Sequence, residues 1–507
     1  MSVATRRGVA VLCAIAVLGV FGDVALWTSP WGLGVPVWTG ALVLLYVAIQ
    51  AEFGGPPTRG ALWLLAPALL LTTPFAWRDS GTLHFINTVA ALGCLGLVPL
   101  RSKAARFWTA NLLDYGAALG GALYRSFAVP ALPWQLGIRW GEVRFARSGG
   151  WVPSAARGAL YGIALIWLFG PLLASADKVF AAQIGNVFNW GFGDVIGVVV
   201  CTGAAGALLW HMVAGAPRMA DVAVTPLTGE AAPAPVHEEP FRLGIIETVV
   251  GLTTVNLLLL AFMAVQFRYL FGGASVVEVT PNLTYAEYAR NGFFELVAVA
   301  FLALVTLLVA DPLLERRTTR DEWAFRLTAG LLIALVAGIL ASALRRMGLY
   351  IEQYGLTELR LYTIAFMGWL AWVFAWFVAT VLRRHREWFA VGALAGGLAL
   401  VAALNLLNPD ALITSTNLAR ERIHTGYLAA LSGDAVPTLL AALPALSDDD
   451  RNHLAWCLLD RWGDPPKTTW RNWNAARDTA RAAVAHDRDQ LAEWRTATRC
   501  YGLPPER

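Results

Sequence analysis

The chain has 507 residues, of which 57% are apolar and only 15% charged, with 22 tryptophans and a formal net charge of +4. This balance excludes an ordinary soluble domain and a disordered chain, and it makes a bilayer the expected solvent. The charges are uneven: 12 basic and 13 acidic residues fall between Asn408 and Arg507, against 74 charges in the whole chain. A water-exposed tail after a largely embedded body is therefore expected.

A hydrocarbon core about 30 Å thick requires roughly 17 to 25 apolar helical residues. Eleven stretches meet that criterion, at about 9–27, 35–51, 61–77, 83–100, 156–174, 194–214, 244–266, 292–310, 324–344, 359–382 and 388–406. The first follows Arg6 and Arg7 and resembles a secretory signal, but it lacks a small-residue cleavage site and is read as a retained anchor. The expected fold is all-α: a polytopic membrane helix bundle of about eleven spans with a C-terminal soluble helical tail.

Cytoplasmic loops retain Arg and Lys, so the connections test the count. With Arg6 and Arg7 inside, the segments 101–155, 311–323 and 383–387 all fall on the cytoplasmic side. The first carries Arg101, Lys103, Arg106, Arg125, Arg139, Arg144 and Arg147; the others carry Arg316, Arg317, Arg320, Arg383, Arg384 and Arg386. The N-terminus is then cytoplasmic and the tail extracytoplasmic, where a disulfide between Cys457 and Cys500 is permitted.

Four divisions follow. Residues 1–100 form a four-span segment. Residues 101–155 alternate apolar clusters with arginines and read as an interfacial amphipathic segment, a twelfth span being the rival. Residues 156–407 form a seven-span core interrupted by a proline-rich linker at 216–240. Residues 408–507 form the helical tail.

Two polar stretches stand out on the predicted outer side. In "LTYAEYARNGFFEL" (283–296), Thr284 and Glu287 fit a capping box. Tyr285, Tyr288 and Glu295 then fall close to one helical face, with Glu287 and Arg290 nearby. Glu295 is placed one turn inside the hydrocarbon and needs a cation partner such as Arg290, Arg345 or Arg346. In "RRMGLYIEQYGLTELRLYT" (345–363), Gly355 can take a left-handed turn and Thr357 can cap the next helix. Arg345, Arg346 and Arg360, beside Tyr350 and Tyr354, have two readings: ion pairing with Glu287, Glu295, Glu352 and Glu358, or a bidentate grip on an external phosphate or carboxylate.

Other features favour packing. Trp369, Trp372 and Trp376 form a stripe on the tenth span. Asp23, Arg78, Asp79, His84 and Asn87 gather at the outer ends of the early spans. The seven histidines show no metal-ligand spacing, and no Walker loop, dinucleotide glycine pattern or nucleophile elbow occurs. No metal, cofactor or nucleic-acid partner is expected.

Five stretches, "QFRYLFGG" (266–273), "LTYAEYARNGFFEL", "LYIEQYGLTELRLYT" (349–363), "NPDALITSTNLAR" (408–420) and "WRNWNAARDTARA" (470–482), resemble the motifs of a bacterial multipass membrane family, domain of unknown function 4173, close to its sibling 4153. The resemblance covers roughly residues 155–485. It implies an integral membrane protein of the bacterial inner membrane and assigns no activity. It also marks Tyr285, Glu287, Tyr288, Arg290, Glu295, Tyr350, Tyr354, Gly355, Thr357 and Arg360 as motif positions without roles.

Three functions remain open. In the first, Arg290, Arg345, Arg346 and Arg360, with Glu287, Glu295 and the loop tyrosines, hold an anionic lipid or envelope-precursor head group for transport or sensing. In the second, Glu287 or Glu295 serves as general base of a membrane transferase or hydrolase beside an arginine-bound phosphate. In the third, the chain is a scaffold or sensor whose residues 408–507 engage an envelope protein.

Overall fold

The computed structural model describes residues 2–27, 30–53, 59–103, 112–127, 136, 138, 192–214, 244–271, 293–316, 318–420, 423–464 and 468–494. Every regular element among them is helical. Eight of the helices are long and apolar enough to cross a membrane. The expected third span is a shorter apolar helix, the expected sixth corresponds to the helix Phe192–Ala214, and the expected fifth lies outside the described residues.

The chain divides into two compact units. The first comprises Met1–Thr225, Ser432–Asp434 and Leu458–Ala492; the second comprises Pro226–Leu431, Ala435–Cys457 and Glu493–Arg507. The tail thus contributes residues to both.

In the first unit, α1 (Val3–Leu26), α2 (Gly34–Phe53), α3 (Arg59–Leu70), α4 (Gly81–Lys103), α5 (Leu112–Phe127) and α6 (Phe192–Ala214) pack together. Ser2 starts α1 by accepting the Thr5 amide at 3.3 Å, which satisfies one of the four orphan donors of a helix start. Pro67 lies inside α3, which ends at Leu70 and gives way to a 3₁₀ turn at Thr73–Ala76. The tail adds α16 (Ala475–His486), capped by Asn474, to this unit.

In the second unit, α7 (Ile245–Phe271), α8 (Phe293–Leu313), α9 (Thr319–Tyr354) and α10 (Glu358–Thr380) surround an apolar core containing Leu307, Phe325, Val336, Met367, Leu370 and Phe377. Lipid tails are as apolar as these side chains, so close dispersion contact, rather than escape from water, holds such a core. A capping box between Thr318 and Asp321 begins α9. This helix runs for 36 residues, roughly 54 Å at 1.5 Å per residue. The expected loop at Arg345 is therefore helix: the ninth span continues to Tyr354 before the chain turns at Gly355.

Helix α10 pairs with α11 (Phe389–Leu407) through the tryptophan stripe. The indole N–H groups of Trp369, Trp372 and Trp376 donate to the carbonyls of Ala393, Gly392 and Trp388 at 3.1–3.3 Å. Gly392 and Gly396 lie directly beneath Trp376 and Trp372. Asn408, at φ +54, closes α11 and caps α12 (Pro409–Leu418), with α13 (Thr425–Ala430) and α14 (Val436–Ala442) following. Helix α15 (Asp448–Trp462) carries Cys457, which is disulfide-bonded, while Cys13, Cys94 and Cys201 are free. Its expected partner Cys500 lies outside the described residues.

Candidate functional site

Helix α9 ends where glycine is required. Gly355 has φ +80, a conformation that costs other residues of order 1–3 kcal/mol. A Cβ there would stand 2.5 Å from the Asn417 side-chain oxygen. Asn417, on α12, clamps the turn from the other side: its Oδ1 accepts the Leu356 amide at 2.8 Å and its Nδ2 donates to the Leu356 carbonyl at 2.7 Å. Thr357 occupies the cap position of α10, but its hydroxyl makes no capping bond. The phenol of Tyr427, on α13, takes that role and accepts the Glu358 amide at 2.9 Å.

Two guanidinium groups close over the final carbonyls of α9. Arg360 donates to the carbonyls of Tyr354, at 3.1 Å, and Gly355, and lies 4.0 Å above the Tyr350 ring. Arg420, two residues beyond the end of α12, donates to the carbonyls of Ile351 at 2.9 Å and Glu352 at 2.7 Å. The C-terminal end of a helix carries partial negative charge, which both cations complement. Among the described residues neither arginine is in a carboxylate salt bridge.

These groups line a cavity of about 240 Å³ bounded by Tyr354, Arg360, Asn417, Arg420, His424 and Tyr427. Burial raises the Tyr427 phenol above its usual range; the Glu358 amide bond opposes the shift, and the nearby carboxylates of Glu358 and Asp410 add to it. The phenol is thus neutral at physiological pH and keeps an O–H to donate. Two cations, an imidazole and a phenol form a donor set suited to an oxyanion.

The other expected residues separate. Arg345 is exposed on α9, while Arg346, one residue on, is 7% exposed and faces inward. Tyr350 and Tyr354 are in edge contact at 5.1 Å. Glu287, Tyr288 and Arg290 lie outside the described residues, as does the side chain of Glu295. The sequence reading missed Asn417, Arg420, His424 and Tyr427 as site residues. Asn417 and Arg420 belong to the motif at 408–420 already singled out, which was the available signal.

A second polar cluster lies at the opposite end of α9. Glu322, 4% exposed, receives Arg316 at 2.9 Å, Arg326 at 3.3 Å, Arg386 at 3.7 Å and Arg384 at 3.8 Å. Asp311 receives Arg316 at 2.5 Å and Arg386 at 3.1 Å. Arginines noted only as loop charges therefore join α8, α9 and the α10–α11 connection.

A third cluster belongs to the first unit. Arg78 pairs with Asp434 at 3.0 Å and Asp79 with Arg477 at 3.4 Å. Gly433 donates its amide to Asp79 at 3.0 Å, and Asn474 donates to the carbonyls of Phe75 and Arg78. The polar residues expected at the ends of the early spans thus receive tail residues. Among the described residues no group of His, Cys, Asp or Glu could hold a metal ion.

No curated protein and no solved structure matches the chain. The matching family model is that of the sibling 4153, and it starts within the third apolar stretch, earlier than the resemblance drawn from the motifs. The model for the domain of unknown function DUF4153 matches residues 65–442, and the chain belongs to that family.

Proposed function

We propose that the protein is a multipass protein of the bacterial inner membrane that holds an anionic lipid or envelope-precursor head group in the Arg360–Arg420 cavity, for transport or sensing. In this reading the N-terminus is cytoplasmic and the cavity opens to the outer face. One observation carries it: both guanidiniums line the cavity while bonded to backbone carbonyls. A carbonyl orients a guanidinium without neutralising it, so the positive charge stays available to an anion. Tyr350 beneath Arg360 further fixes the fork.

Lipid retained by the purified full-length protein, measured by mass spectrometry, tests the proposal. Arg360→Gln with Arg420→Gln should lose anionic lipid, whereas exposed Arg345→Gln should retain it. Equal anionic lipid in all three proteins overturns the reading. If the double variant does not fold, Arg360→Lys and Arg420→Lys keep the charge but lose the fork, and each should lower retention.

A further inference from the structure

We infer that the tail segment 468–474 is a membrane-interface anchor, seated in the head-group layer of the bilayer with the Trp470 ring reaching the edge of the hydrocarbon. The segment and the helix ends it touches all lie in the first unit, and the anchor is independent of the anion cavity.

The segment sits at a definite depth along α1. Its membrane-spanning stretch ends at Leu26. Trp470 stacks on Phe21, ring centroids 6.4 Å apart and planes 14° from parallel. Phe21 lies five residues before that end, roughly 8 Å down the helix axis. Arg471 donates to the Val24 carbonyl at 3.1 Å, within the last turn. The amides of Leu33 and Gly34, at the start of α2, donate to the carbonyls of Trp473 and Arg471 at 2.9 Å. The segment is therefore tied beside the ends of two apolar helices instead of standing off in water.

The segment is also built to stay there. Asn472 Oδ1 accepts the Thr469 amide at 2.7 Å and its hydroxyl at 3.2 Å, closing a tight turn. Arg477 donates to the carbonyls of Trp31 and Asn472. Five tryptophans gather at this end: Trp27, Trp31, Trp77, Trp470 and Trp473, each between 38% and 47% exposed. An indole has an apolar body and one N–H donor, and tryptophan concentrates where hydrocarbon meets head groups. Arg471, bonded at its head and apolar along its stem, suits the same layer.

The test uses full-length protein in lipid nanodiscs. Trp470→Cys, in a Cys13→Ser background, is labelled with an environment-sensitive fluorophore and exposed in turn to lipid carrying a shallow nitroxide and to aqueous iodide. Blue-shifted emission, quenched several-fold more strongly by the nitroxide lipid than by iodide, is expected. Red-shifted emission, quenched mainly by iodide, overturns the inference. Trp473→Cys provides a second site with the same two outcomes should Trp470→Cys fail to fold.

Discussion

Asn417 illustrates how much one side chain can fix. Its carboxamide satisfies both backbone groups of Leu356, a buried residue, on the turn that ends α9. Asn417→Ala should strip that amide and carbonyl of partners at about 1–3 kcal/mol for each group left unsatisfied. A clear fall in the thermal midpoint of the detergent-solubilised protein is expected. Gly355→Ala should destabilise by a similar amount, since it adds both positive-φ strain and a clash with the same Asn417 oxygen. Asp79 yields a prediction in pH. Burial raises its carboxyl above the ordinary aspartate value, and this outweighs the lowering by the Gly433 amide and Arg477. A carboxyl with a raised folded-state pKa binds its proton more tightly folded than unfolded. Its contribution is present below the unfolded value and is lost as pH rises through the folded one. Asp79→Asn should flatten that descending part of the midpoint-versus-pH curve; an unchanged slope assigns the titration to another group.

At the scale of elements, α10 and α11 show why the tryptophan stripe is packing. Glycines on one helix let the indoles of the other approach close enough to bond to backbone carbonyls, a small-residue contact of the kind that joins helices in lipid. Gly392→Val should push against Trp376 and lower the thermal midpoint, whereas a change at Gly368, where a Cβ meets nothing within 4 Å, should be far milder. Periodicity and length made most apolar helices legible in the sequence. They failed at α3 because a proline and an early 3₁₀ turn shorten a stretch whose composition alone suffices for a span. They failed again at the end of α9, where arginines and glutamate suggested a loop although nothing before Gly355 stops a helix. Of the site, Arg360 and Tyr354 were legible from their motif. Asn417, Arg420 and Tyr427 were not, because their roles depend on α12 and α13 returning to a turn some sixty residues earlier in sequence, a contact that local pattern does not encode.

For the molecule as a whole, the tail departs most from what its charge suggested. Its residues serve as capping and clamping groups: Asn417, Arg420 and Tyr427 in the second unit, and Asp434, Asn474 and Arg477 in the first. A chain ending before Asn408 should therefore leave the Leu356 and Glu358 amides, the Arg78 guanidinium and the Asp79 carboxyl without these partners. Limited proteolysis of such a truncation should cut faster at the α9–α10 turn than in the full chain. Helix α9 has a different consequence. From Glu322 to Tyr354 it is an uninterrupted rod of roughly 48 Å, pinned at one end by four arginines and bordering the cavity at the other. A rod that long acts as a lever. A small tilt about its middle, too slight to disturb its own hydrogen bonds, would move the Tyr354 end and the Glu322 ion pairs in opposite directions, giving the two ends a shared mechanical coordinate.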